Sequence, residues 1–147
     1  MVFENEAQLK SFLLLGCRNA VAQSLEKVYK ILDMFVKEFY ADYDPVMYER
    51  TYQLYRSLVK TDVYSIGNGY EAEVYFDLSS LGYVTGAKPS GGQVMAAAAS
   101  GGHGAAGLRV VPGNSGADIW NTAIPALSTE VIEILKEELI AQGIPIR

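Results

Sequence analysis

A histidine with glycine on either side, Gly102-His103-Gly104, is the residue of this 147-residue chain best suited to proton chemistry. A general base needs a nucleophile or substrate within reach and usually an orienting acid. His103 is the only histidine, and the nearest acid along the chain is Asp118. A metal site would need two or three further ligands, and neither Cys/His pairs nor clustered carboxylates accompany it. Gly102-His103-Gly104-Ala105-Ala106-Gly107 has the form G-x-G-x-x-G. However, no apolar strand leads into it, and no βαβ unit surrounds it. No Lys-Ser or Lys-Thr follows the glycines, as a phosphate-binding P-loop requires. His103 therefore reads as a loop residue with a structural or contact role, and no cofactor is expected.

The other reactive types fare no better as catalysts. Cys17 is the only cysteine, so no internal disulfide can form, and the chain fits a reducing compartment. With no histidine nearby in sequence, Cys17 reads as a small buried hydrophobe. Glu130, Glu133, Glu137 and Glu138 read as a solvated helix face. Asp42 and Asp44 could pass for a carboxylate pair, but helix capping accounts for Asp44.

The richest side-chain cluster is aromatic. Residues 39–55 hold five of the ten tyrosines, Tyr40, Tyr43, Tyr48, Tyr52 and Tyr55. They can pack at the edge of a core with hydroxyls reaching water. They can also form an assembly surface, because tyrosine supplies contact area at low entropy cost. Trp120 divides in the same way between core anchor and interface anchor.

Several elements must position these residues. From Glu6 to Tyr40 apolar residues recur at helical steps: Leu9, Phe12, Leu13, Cys17, Ala20, Val21, Leu25, Val28, Ile31, Leu32, Phe35, Val36 and Phe39. Gly16 weakens this helix and could divide it in two. Asp44-Pro45 is a helix start, and the spacing predicts a helix over 45–59. After Lys60 the period changes to two. Strands are predicted at 62–66 and 70–77 around Gly67-Asn68-Gly69, with Glu71, Glu73, Tyr75 and Asp77 on the wet face. Residues 82–117 form a long Gly/Ala-rich loop, with a possible short helix at Val94–Ala99; nine of the fourteen glycines lie between Gly86 and Gly116. Leu127, Val131, Ile134, Leu135 and Leu139 mark a last helix that stops at Gly143, with Pro125 at its start or at a kink.

Composition sets the outer bounds. Half the residues are apolar and a fifth are charged, ordinary values for one globular domain spanning 1–147. A net charge of −5 with scattered Lys and Arg disfavours sequence-specific nucleic-acid binding. The longest apolar run near the N-terminus, Phe12 to Leu15, is far too short to span a bilayer, and the first residues lack a signal peptide's basic start. Cytoplasmic synthesis without a membrane partner is the expectation.

The order Tyr40-x-x-Tyr43-x-Pro45-x-x-Tyr48-x-Arg50-Thr51-x-x-Leu54 is followed by Val74-Tyr75-Phe76-Asp77. Gly102-His103-Gly104, Ile119-Trp120 and Gly143-Ile144-Pro145-Ile146 come after it. This series resembles the tail-completion, or neck, proteins at the head–tail junction of tailed bacteriophages and prophages. The resemblance spans most of the chain from about residue 25; the Ala-rich filling around His103 departs from it. It implies an α+β fold: an antiparallel sheet of three or four strands against a long N-terminal helix and a C-terminal helix. It implies no catalysis. It further implies a ring homo-oligomer contacting neighbouring phage head–tail or tail proteins, in the bacterial cytoplasm during assembly and then in the virion. Candidate assembly contacts are Tyr40, Tyr43, Tyr48, Arg50, Tyr52, His103 and Trp120. The competing expectation is a small intracellular regulatory or ligand-binding module using the tyrosine cluster or the His103 loop.

Overall fold

A computed structural model describes residues 2–41, 53–81, 102–103, 109–110 and 124–146. The elements in order are α1 (Glu6–Ala41), α2 (Gln53–Ser57), β1 (Leu58–Lys60), β2 (Tyr64–Ile66), β3 (Gly69–Glu71), β4 (Val74–Phe76), a 3-10 turn (Leu78–Ser80), β5 (Gly102–His103), β6 (Arg109–Val110) and α3 (Ile124–Ala141). The fold is α+β, with a long N-terminal helix, a C-terminal helix and small antiparallel sheets.

The chain divides into two compact units. One comprises Met1–Tyr29, Lys60–Val74 and Ser128–Arg147, the other Lys30–Val59 and Tyr75–Leu127. In the first unit α1 begins on a cap. The Asn5 side chain accepts from the Gln8 N–H at 2.9 Å, and the Gln8 side chain accepts from the Glu4 N–H at 2.9 Å. This is a near relative of the capping box, satisfying donors that the first turn leaves free. Gly16 does not break the helix, which runs 36 residues without interruption. It is buried beneath the C-terminal tail: a Cβ there would lie 2.8 Å from Ile144 Cδ1. The absent side chain is thus a packing requirement.

α3 runs antiparallel to this part of α1. Its far end meets the start of α1, with Gly143 beside Phe12 and Ile144 beside Gly16. Asn19 then donates to Gln142 at 3.3 Å, and Lys27 pairs with Glu138 at 2.7 Å. Gly143, at φ +77°, ends α3. The Gly143 N–H donates to the Ile140 carbonyl and the Ile144 N–H to the Leu139 carbonyl, the two bonds of a Schellman cap. Ala20 and Ile134 are buried in this unit. Ser24 is buried too, and its hydroxyl has no hydrogen-bond partner among the described residues. Cys17 is half-buried, less enclosed than its type predicts.

The strands form one interrupted ribbon and a separate short pair, each ladder two-stranded and antiparallel. Asp77 N–H donates to Ser57 and Thr61 N–H to Glu73, so β1 and β4 run antiparallel. From Thr61 opposite Glu73 to Tyr64 opposite Glu71, the first strand uses three residues and the second two. This extra residue is a β-bulge, and it separates the β1–β4 ladder from the β2–β3 hairpin. Gly67-Asn68 closes the hairpin, with Gly67 at φ +50°.

In the second unit Val36, Leu54, Leu58 and Leu81 are buried. Leu58 and Val59 belong to a strand, which corrects the expected helix end at 59: the Ser57 carbonyl accepts from Asp77, and the chain leaves the helix there. The expected helix over residues 45–52, the cap at Asp44-Pro45 and the helix at Val94–Ala99 lie outside the described residues. So does most of the 82–117 segment; β5 and β6, within it, pair antiparallel with His103 opposite Arg109.

Candidate functional site

The expected contact residues are only partly placed. Tyr43, Tyr48, Arg50, Tyr52 and Trp120 lie outside the described residues. Tyr40 belongs to the last turn of α1 and His103 to β5, by backbone alone. Among the described residues no cluster of three or more His, Cys, Asp or Glu could hold a metal ion. No described helix is long and apolar enough to cross a membrane.

The feature that stands out lies in the first unit, on the β2–β3 hairpin. A strand is ordinarily half-buried, yet every residue of β2 is exposed. Tyr64 and Ile66, two positions apart and so on one face, are 40% and 46% exposed. Across the ladder Tyr64 stands opposite Glu71 and donates its hydroxyl to that carboxylate at 2.9 Å. This bond raises the Tyr64 phenol above its ordinary value of 10.0, with the charges of Glu71 and Glu73 adding to it. The phenol is therefore a protonated donor at neutral pH, not a nucleophile. The face presents two large apolar groups beside two carboxylates, a surface suited to contact.

The hairpin is rooted on α1. The Lys60 ammonium pairs with the Glu26 carboxylate and sits over the Tyr29 ring, 5.0 Å from its centroid. An exposed ion pair contributes little alone. A cation over an aromatic face adds about 0.5–1 kcal/mol. Together they fix the direction in which the hairpin leaves the helix. Sequence alternation identified the wet side of the second strand, Glu71 and Glu73. For the first strand, alternation gave the element without saying which of its faces is covered.

A second exposed surface occupies the outer side of α1. Ala7, Ser11, Leu15, Arg18 and Ala22 follow at steps of four, four, three and four, which places them on one face. Leu15 is 58% exposed. Arg18 and the neighbouring Lys10 are exposed and pair with no charged side chain among the described residues.

No curated protein and no solved structure matches the chain. A family model described as YomN matches residues 5–142. The match runs from the cap of α1 to the turn after α3 and takes in both surfaces just described. The chain belongs to the YomN family, which is phage-derived.

Proposed function

We propose that this chain is a non-enzymatic structural protein of a tailed phage or prophage, joining head to tail as a tail-completion or neck component. The observation that carries the reading is the match of nearly the whole chain to a phage-derived family. Two further features support a contact role. The order of motifs resembles that of neck proteins, and the exposed Tyr64–Ile66 face offers apolar area beside fixed charge. In this reading the protein works by contact, as a homo-oligomer seated between neighbouring head–tail proteins, first in the bacterial cytoplasm and then in the virion. It uses no cofactor and carries out no reaction.

The test is location in the particle. Tailed particles from producing cells are purified away from lysate protein, labelled with antibody and gold, and viewed by electron microscopy. Label at the junction of head and tail is the expected result. Intact tailed particles without label, with the epitope reactive in disrupted virions, would overturn the head–tail assignment. A protein found only in the soluble fraction, bound to host regulators, would make the regulatory module the better account.

A further inference from the structure

The hairpin and the outer face of α1 carry opposite charge, and both present exposed residues within one chain. From Thr61 to Glu73 the hairpin carries three acids, Asp62, Glu71 and Glu73, and no base. From Ala7 to Leu25 the helix carries two bases, Lys10 and Arg18, and no acid. The acids at Asp62 and Glu73 and the bases at Lys10 and Arg18 are all exposed, and their side chains make no ion pair among the described residues. The apolar groups match as well. The hairpin offers the bulky Tyr64 and Ile66, while the helix offers Leu15 beside the exposed small residues Ala7 and Ser11 and the half-buried Ala22. Small residues let a partner's bulky side chains approach a helix closely.

We infer that the β2–β3 hairpin of one copy docks on the outer face of α1 in the next, with Tyr64 and Ile66 against Leu15 and with Asp62 and Glu73 facing Lys10 and Arg18. The two surfaces are different, so the contact is heterologous: each copy gives a hairpin and receives one. Contacts of this kind propagate, closing into a ring when the rotation permits. The inference rests on the reading of the chain as an assembly-forming protein and supplies the self-contact that this reading requires. Opposite charge at the rim speeds encounter and fixes register, so association weakens with added salt.

Two variants of the full chain test it. The first, Asp62→Lys with Glu73→Lys, turns the hairpin basic without removing the Tyr64–Glu71 bond. The second, Lys10→Glu with Arg18→Glu, turns the helix face acidic. Each alone sets like charge against like and should weaken self-association by more than about tenfold in sedimentation velocity, with circular dichroism unchanged. Mixed, the basic hairpin of the first meets the acidic helix of the second, and the native pairing is restored in the other direction. Assemblies of wild-type size should return in the mixture and fade in high salt. Folded variants that associate as wild type does would overturn the inference. So would a mixture that stays dissociated, or a wild-type chain that is monomeric up to about millimolar concentration. Gold label at the head–tail junction together with a failed rescue removes this contact and leaves the structural role. Rescue without label does the reverse.

Discussion

The packing of Gly16 against Ile144 permits a stability prediction in which two effects of similar size oppose each other. Replacing an interior helical glycine with alanine stabilises a helix by about 1 kcal/mol. Here the new Cβ would stand 2.8 Å from Ile144 Cδ1, 3.4 Å from its Cγ1 and 3.5 Å from Gln142 Cβ. The first of these distances is impossible, so the end of the Ile144 side chain must swing away. Leaving a rotamer well costs about 0.5–1.5 kcal/mol. Gly16→Ala should therefore lie within about 1 kcal/mol of wild type. Ile144→Val removes the clashing Cδ1 and alone costs about 0.5–1 kcal/mol, because Ile144 is only half-buried. In the double variant the Cβ meets nothing closer than 3.4 Å, and the helix-propensity gain is recovered in full. The double variant should thus be more stable than the two single effects sum to, by about 1 kcal/mol.

Urea unfolding of the four proteins measures this coupling, with stability read from the midpoint at constant slope. On heating, each kcal/mol corresponds to about 2–4 °C for a chain of this size. Gly16→Val serves as a control, since a branched side chain cannot fit beneath Ile144, and it should cost about 1–3 kcal/mol. Single effects that add to within about 0.3 kcal/mol would refute the reasoning. They would mean that the tail at Ile144 does not pack on α1 in solution.

Four further perturbations follow from the same structure. Asn5→Ala removes the cap of α1 and should cost about 1 kcal/mol, with loss of helical signal confined to the first turn by hydrogen exchange. Leu54→Ala empties a buried site in the second unit and should cost about 2–4 kcal/mol in urea unfolding. Ser24→Ala removes a buried hydroxyl that has no partner among the described residues and improves helix propensity, so the midpoint should rise; a fall would show that the hydroxyl is bonded in solution. Asp77 accepts from the side chain and backbone of Ser79, which holds its carboxyl below the ordinary 3.8. Its contribution is therefore full above that value and is lost as pH falls through the folded value, and Asp77→Asn should flatten this acid limb of the stability–pH curve.

Which parts of this structure could be read from the sequence follows from which interactions are local. The stripe from Leu9 to Val36 prescribes α1, and Gly67-Asn68-Gly69 prescribes the hairpin, because neighbours in sequence determine both. Gly16 looked like a break because its reason lies over a hundred residues away, at Ile144. Leu58 and Val59 looked helical because their strand partner is β4, beyond the bulge. Periodicity also says which face is apolar without saying what covers it. Leu9 and Leu13 continue the stripe of Ala20 but remain exposed. Tyr64 and Ile66 alternate as a buried strand would and are exposed as well. The tyrosine cluster that dominated the sequence contributes only Tyr40 and Tyr55 to the described residues.

The exposed hairpin also separates two kinds of energy within the first unit. A lone two-stranded hairpin is at best marginally stable in water. What holds this one is its root, where Lys60 meets Glu26 and Tyr29, and where Thr61 and Glu73 exchange two 2.9 Å hydrogen bonds. Its outer face contributes less, since Tyr64 and Ile66 remain 40% and 46% exposed. Root and face should therefore fail differently. Lys60→Met loosens the hairpin in an isolated chain and is visible as faster amide exchange across β2 and β3. Ile66→Ser, at a position 46% exposed, should change that exchange less than Lys60→Met does. If the face works by docking, its loss appears only when copies meet.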